Sequence, residues 1–403
     1  MSIADFSGRL RPDACPGALQ THAAADGPLA RIRLPGGAVT PAQLRELAAF
    51  CTGGIELTSR ANVQVRALES PALFAGRMAA VGLLPSPTHE RVRNIVASPL
   101  GGRLTGFATH PLVEELDRAL CARPDLAELP GRFLFALDDG TGDVAALGAD
   151  VTLVEDGVLL AGTPFSMPGA GVDVLLAAAA AFLAERGDSG AWRIAELPDG
   201  PARIAARLTS ARPASARPAS ARPASARPAS ARPASAPPAS ARPHPASARP
   251  NPASARPLHP ERARGAGVVV VPGGRVAVEA VVPLGRLTAA QARLLATLDA
   301  QVRLTPWRTV VLLDLPEIPD LTGSGLVTDP DSPWTGVSAC TGSPGCAKSL
   351  ADVQHDAARW VATRIHRPDL PVHWAGCERR CGLPKGPVIE MVATGDGYQE
   401  RQK

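Results

Sequence analysis

Four of the seven cysteines in this 403-residue chain lie near its C-terminal end, in two short pairs. Cys340 and Cys346 enclose Thr-Gly-Ser-Pro-Gly, and Cys377 and Cys381 enclose Glu-Arg-Arg. Two such pairs, brought together by a fold, supply the four thiolates of a metal centre. The Gly- and Pro-rich stretch after Cys340 can wrap an inorganic core and turn backbone N–H groups toward sulfur. Structural zinc usually takes two to four residues within a pair, so the five-residue spacing favours a 4Fe-4S cluster over zinc or over four reduced structural thiols. Cys15, Cys51 and Cys121 lack metal spacing. Cys51 and Cys121, near predicted helix ends, read as buried thiols.

The elements that position these residues follow from local patterns. Leu29 to Leu34 alternates like a strand. Thr40 before Pro41 starts a helix over Ala42–Phe50, with Leu44 and Leu47 facing inward. Extended chain follows from Ile55, and from Asn62 it places Val63, Val65 and Ala67 on one face and Asn62, Gln64 and Arg66 on the other. A second helix is expected over Pro71–Val81. Val151–Val154 and Val158–Leu160 read as a hairpin, and Val172–Arg186 as a helix whose Ala run packs in a core. Many of these features recur about 245 residues later: Thr288 with Gln291, Leu304-Thr305, Gly325-Leu326, Ser343-Pro344 (against Ser98-Pro99) and Arg367-Pro-Asp-Leu370 (against Arg123-Pro-Asp-Leu126). The shared order points to an internal duplication with a pseudo-twofold axis.

Between the halves, Ala211 to Pro257 repeats Ala-Arg-Pro-Ala-Ser. Frequent Pro and the lack of anything apolar to bury predict a disordered linker. It holds eight Arg and no acid against a whole-chain charge of +4, so the rest is net acidic and the basic balance does not indicate nucleic acid. The longest apolar run, Val174–Ala184, is too short for a bilayer core of roughly 30 Å. With no export signal visible at the N-terminus, a cytoplasmic protein without a membrane partner is expected. Gly140-Thr-Gly142-Asp-Val-Ala145 imitates a dinucleotide fingerprint, but Gly148 and Asp150 cut off the helix it needs, so Asp138-Asp139-Gly140 reads as a turn.

The cysteine pattern, the duplicated halves and Leu57-Thr58-Ser59-Arg60-Ala61-Asn62-Val63-Gln64 together resemble the sirohaem-type nitrite and sulfite reductase superfamily. Cys15-Pro16-Gly17 and Glu56–Gln64 look most like its precorrin-3B synthase family. The resemblance covers about residues 11–135 and 268–395. It implies an α+β fold of duplicated, pseudo-symmetric halves with ferredoxin-like subdomains, nitrite/sulfite reductase-like, joined by the disordered Pro/Arg/Ala/Ser linker. The expected division is 1–135 (first ferredoxin-like half), 136–205 (rest of the first α/β half), 206–264 (linker) and 265–403 (the cysteine-bearing half).

The resemblance also implies a 4Fe-4S cluster on Cys340, Cys346, Cys377 and Cys381, with Cys381 the bridge to haem iron in the sirohaem enzymes. It places Arg60, Arg93 and Arg132 at the substrate; Asn62 and Gln64, which share the polar strand face with Arg66, are candidates to contact the substituents of its ring. Arg residues fit such a role because each can hold a carboxylate bidentately. For Arg31, Arg33 and Arg103 an ordinary surface position is expected. The implied reaction is oxygen-dependent: precorrin-3A, an anionic tetrapyrrole, with O2 and electrons from an NADH-linked reductase or other donor, gives precorrin-3B in cobalamin synthesis. A mononuclear non-haem iron with His and carboxylate ligands would accompany it, though no His pair has diagnostic spacing. No residue is assigned a catalytic role. Sirohaem enters only under the alternative of sulfite or nitrite reduction. Leu134, where the reductases carry a second cation after Arg132, argues against that alternative. A further alternative is a non-catalytic iron–sulfur electron carrier or scaffold.

Overall fold

Two short strands leave their own half of the chain and complete the sheet of the other half. In the computed structural model, which describes residues 13, 15–210, 266–271 and 274–403, the first half opens with β1 (His22–Ala24), β2 (Gly27–Ile32), β3 (Ala38–Val39), α1 (Pro41–Ala49), β4 (Ile55–Leu57), β5 (Val63–Val65) and α2 (Pro71–Ala80). It continues with β6 (Ile95–Ala97), α3 (Thr109–Cys121), β7 (Phe135–Leu137), β8 (Val151–Val154), β9 (Gly157–Leu160), β10 (Thr163–Ser166), α4 (Val172–Arg186) and α5 (Gly200–Ser210). The second half repeats the plan. Its ferredoxin-like part is β11 (Gly267–Val270), β12 (Val276–Val281), β13 (Arg286–Leu287), α6 (Ala289–Leu295), β14 (Gln301–Leu304) and β15 (Thr309–Leu315). Its α/β part is β16 (Val337–Ala339), α7 (Val353–Ala362), β17 (Val372–Ala375), β18 (Ile389–Thr394) and β19 (Gly397–Gln402).

The two antiparallel sheets run β1-β2-β5-β4-β13 and β11-β12-β15-β14-β3. Thus β13 pairs with β4 of the first half, and β3 with β14 of the second. One continuous apolar core, including Leu44, Leu47, Phe74, Leu295 and Leu312, serves both sheets. The other two sheets are β10-β9-β8-β7-β6 and β16-β17-β18-β19. In each, the first two pairings are parallel and the next antiparallel, so the first two crossings need connecting segments over the face. α3 and α7 lie in the first of these segments. α4 is apolar on nearly every side, with Leu175, Ala178, Ala179 and Phe182 buried, because sheet, α3 and α5 all pack on it. The Ala run therefore forms core, as its composition predicts.

The duplication holds at the level of single hydrogen bonds. Thr40 and Thr288 each form a capping box, with Gln43 and Gln291. The same glutamines reach on to the carbonyls of Val81 and Ser324, each just before a glycine with positive φ. In the β4–β5 turn Thr58 N–H donates to Asn62 O, and in the β14–β15 turn Thr305 N–H donates to Thr309 O. Ala61 (φ 56) and Arg308 (φ 62) take the same left-handed conformation in these turns. The Ile55–Gln64 stretch is therefore two strands and a turn. One proposed correspondence shifts. Ser98 N–H donates to Leu137 O as Cys340 N–H does to Trp374 O, so Ser98 matches Cys340, not Ser343.

The boundary at 206 also moves. Residues 206–210 complete α5, which buries Ile204 and Leu208, because the Pro repeat begins only after them. The repeat run 211–257 lies outside the described residues. Among the described residues no helix is long and apolar enough to cross a membrane.

Two tests follow. Gly37 has φ 68, and a Cβ there would lie 1.9 Å from the Leu304 carbonyl oxygen, where β3 meets β14. Gly82 has φ 75 with nothing within 4 Å. Gly82→Ala should cost about 1 kcal/mol and Gly37→Ala about 3 kcal/mol or more, read from urea midpoints. His110, in the first turn of α3, is 9% exposed and hydrogen-bonds the Pro99 carbonyl through Nε2. Burial, then the charge of Arg303, presses its pKa down to about 4 from 6.5. Between those values the unfolded chain binds a proton that the folded chain refuses. Stability should fall by up to about 3 kcal/mol as pH drops through that window, and His110→Gln should flatten the dependence.

Candidate functional site

The four cysteines line one cavity of about 300 Å³. Cys340 follows β16, and Cys377 follows β17, so parallel neighbours deliver both pairs to the same sheet end. Cys340, Cys346 and Cys377 are half-buried and Cys381 is exposed. Burial raises the Cys340 thiol, while N–H groups of Gly376 and Gly342 directed at its sulfur act the other way. Gly376 N–H stands 3.2 Å from Cys340 Sγ, and a Cβ on Gly376 would strike Ser349. Only glycine can present its amide there. All four thiols thus line one cavity, as a four-thiolate metal centre requires. The Ser343–Pro344 bond inside the first pair is cis.

The first half closes this cavity. His22 and Ala23 of β1 and Arg66 after β5 form its other wall. Arg66 forks onto Asp26 with two 2.8 Å bonds and donates to the Gly345 carbonyl at 2.5 Å. Glu56 links the halves again, within 3.4 Å of Arg286 and of Thr341 Oγ1. Gln64 donates to Glu56 at 2.9 Å and accepts from Arg31, so it belongs to this polar chain.

A second cavity, of about 330 Å³, begins one residue after Cys381, with Gly382, Leu383, Pro384 and Lys385 in its wall. Arg60, Arg193 and Arg308 line it too. Arg60 is held by the carbonyls of Gly131 and Arg132, at 3.2 and 2.9 Å. Arg308 donates to Gly382 O at 2.9 Å, and Lys385 to Leu147 O at 2.5 Å. Arg193 pairs with the buried Asp150. Burial lowers the proton affinity of Lys385, and the charges of Arg193 and Arg60 add to that. Burial also brings Arg60 down to about 10.

Beside Arg60 lies a deeper arginine. Arg33 is 1% exposed, and among the described residues its Nε and Nη2 have no hydrogen-bond partner. Its Nη1 donates to Pro16 O at 3.2 Å. Burial, then the neighbouring charges of Arg31 and Arg60, lowers it to about 9. The Cys15-Pro-Gly segment is held against it. Glu90 accepts from the N–H groups of Ala18, Leu19 and Gln20, and a side chain at Gly17 would strike that carboxylate. Two orphaned guanidinium N–H groups in the interior cost free energy unless an anion meets them.

The expected substrate residues divide accordingly. Arg60 lines the cation cavity, and Arg132 stands near Arg31, over the Trp192 ring at 4.8 Å. Arg93 does not reach it: the side chain is buried and forks onto Asp117 at 2.6 and 2.7 Å. Asn62 is 1% exposed, accepting from Leu34 N–H and donating to Asn94. Both are spent on packing the first half. Arg33 is interior, and Arg103 pairs with Asp314 across the halves, so neither is the free surface arginine expected. Leu134 packs with Val96, Ala136 and Val144 in a small core. Arg193, Arg308 and Lys385 escaped the sequence reading. Arg308 carried one signal, its place in the duplicate of the Arg60 turn. Cys51 and Cys121 are half-buried, with thiols raised by burial. The Gly140-x-Gly142 amides are occupied by the Asp138 carboxylate, which leaves none for a phosphate.

Residues 22–73 match the family model for the nitrite/sulfite reductase ferredoxin-like half domain. The solved structure of Mycobacterium tuberculosis NirA protein superposes with a TM-score of 0.64 over 93% of this chain and 73% of that one, at 22% identity. This chain has the fold of the nitrite and sulfite reductase superfamily. The ferredoxin–nitrite reductase of Synechococcus elongatus is 27% identical over 91% of this chain and 76% of its own length. A sulfite reductase [ferredoxin] 2 of Mycolicibacterium paratuberculosis is 26% identical over 91% and 70%. A precorrin-3B synthase of Sinorhizobium sp is 30% identical, but over 105 residues, 24% of this chain and 23% of the relative. The relatives that match over most of this chain are named nitrite and sulfite reductases, whereas the one named precorrin-3B synthase matches over a quarter of it.

Arg93→Ala should lower stability by about 3 kcal/mol, since Asp117 is left without its cation. In a double-mutant cycle with Asp117→Ala, the two losses should add to clearly more than the loss in the double variant.

Proposed function

We propose that the chain is an iron–sulfur reductase of the nitrite or sulfite reductase kind, taking electrons from a ferredoxin-like donor. Cys340, Cys346, Cys377 and Cys381 would hold a 4Fe-4S cluster, which supplies one-electron transfer. The carrying observation is that Cys381 of the cysteine cavity and Gly382 of the cation cavity are consecutive residues. A cluster on these cysteines would supply electrons one shared loop away from the cation cavity. The cations Arg60, Arg193, Arg308 and Lys385 fit the carboxylates of a sirohaem-type tetrapyrrole and a small oxyanion beside it.

Leu134 weighs less against this reading once the fold is known. The cation absent at that position is replaced from elsewhere in the chain by Arg308 and Lys385. Arg60, Arg193 and Arg308 bind and orient negative charge. Lys385, with its lowered proton affinity, is suited to pass a proton to a bound oxyanion and regain it from solvent. Apolar Trp307, Trp334, Val281 and Leu383 in the same wall limit water.

Precorrin-3B synthesis is kept as a second reading because Leu134 and the 105-residue match favour it. There the tetrapyrrole is substrate, and an oxygen-activating metal would be required. The His-and-carboxylate set expected for it is not assembled: among the described residues, the metal-ligand group within 4.8 Å is Asp138, Asp139 and Asp143.

Anaerobically purified protein should show visible thiolate-to-iron absorption and yield extractable sirohaem. It should reduce nitrite or sulfite with a reduced low-potential donor. Each Cys→Ser change among the four should remove the absorption. Lys385→Gln should cut turnover roughly a hundredfold while leaving the absorption intact. An intact cluster with no sirohaem and no reduction of either anion, but turnover of precorrin-3A, would decide for the second reading.

A further inference from the structure

The pseudo-twofold axis gives the cysteine loops a counterpart in the first half. Ser98 follows β6 as Cys340 follows β16, with the same backbone bond to the neighbouring strand. Asp139 N–H donates to Ser98 Oγ at 3.1 Å, where Gly376 N–H donates to Cys340 Sγ at 3.2 Å. The β7–β8 loop thus corresponds to the loop that carries Cys377 and Cys381. In place of thiols it carries Asp138, Asp139 and Asp143.

One ligand oxygen from each of these three aspartates lies within 4.8 Å of the others. Asp138 is satisfied by four backbone N–H groups, those of Gly140, Gly142, Val144 and Ala145. Asp143 accepts from Ser98 Oγ at 2.5 Å. Asp139 is different. It is 1% exposed; its Oδ1 accepts from Thr141, and among the described residues its Oδ2 has no hydrogen-bond partner. None of the three takes part in an ion pair among the described residues. A buried carboxylate oxygen without a donor is costly, and a bound cation would supply the partner that Asp139 Oδ2 lacks.

We infer that Asp138, Asp139 and Asp143 form a site for one hard divalent cation, of the magnesium, manganese or calcium class, at the first-half counterpart of the cysteine cavity. An all-oxygen donor set selects such ions over the soft iron–sulfur chemistry of the other half. Its effect reaches the cation cavity. Ala146 and Leu147, immediately after the aspartates, line that cavity, and Leu147 O accepts the Lys385 ammonium. The ion would therefore set the position of the wall against which Lys385 is held.

The test uses the full chain with its visible absorption intact, stripped with EDTA and titrated with Mn2+. The EPR signal of free Mn2+ reports binding. One site per chain is expected, displaced by Mg2+ or Ca2+, together with a rise in melting temperature. Asp139→Asn keeps the shape and removes the unpaired charge. It should weaken Mn2+ at least tenfold, abolish the metal-induced rise and raise the melting temperature of the metal-free protein. Cys377→Ser should leave Mn2+ binding unchanged. Absence of binding by protein that retains its visible absorption would overturn the proposal, as would binding that survives Asp139→Asn undiminished.

Discussion

The exchange of β3 and β13 is the constraint on which the rest of the molecule depends. Each is a two-residue strand, too short to stand alone, and each completes the sheet of the opposite half. Neither antiparallel sheet is finished without the other half. The shared core behind them, to which α1 and α6 both contribute, turns the exchange into a single cooperative unit. Both α/β parts then hang from this unit in fixed relation, with the ends of their parallel strands turned toward the opposite half.

That geometry explains why both cavities are composite. The cysteine cavity takes its thiols from loops after β16 and β17 and its far wall from β1 and Arg66. The cation cavity takes Arg60 and Arg193 from one half and Arg308 and Lys385 from the other. The duplication also lets the two halves diverge chemically on one backbone plan. Soft sulfur stands at the strand ends of the second half, and oxygen donors at those of the first. The turn containing Arg60 and the turn containing Arg308 face the same cavity because they are copies related by the axis.

Electrostatics follow from the same assembly. Several arginines are neutralised locally: Arg66 by Asp26, Arg93 by Asp117, Arg103 by Asp314. Among the described residues Arg33 has no ion pair, and Arg60 is held by carbonyls. Arg60 and Arg308 thus bring positive charge to the cavity next to the loop of Cys381. Local excess of buried charge marks a site more sharply than arginine content does.

Local and periodic features were legible in the chain itself. The capping residues Thr40 and Thr288, the apolar length of α4, the β8–β9 hairpin and the two cysteine pairs depend on neighbours within a few residues, so residue order alone determines them. The repeated order of landmarks likewise made the duplication readable. What only the tertiary structure decided is which side of the strands became interior and which distant residues meet. Asn62 and Arg93 sit in a sequence pattern that suggests ligand contact, yet Asn94 and Asp117 claim them. Arg33, read as surface, is enclosed by the N-terminal segment. Arg193, Arg308 and Lys385 are separated from Arg60 by long stretches of chain, and only the strand exchange brings them together. A side chain's role there is set by the partners that compete for it, and those partners are chosen by packing across the axis.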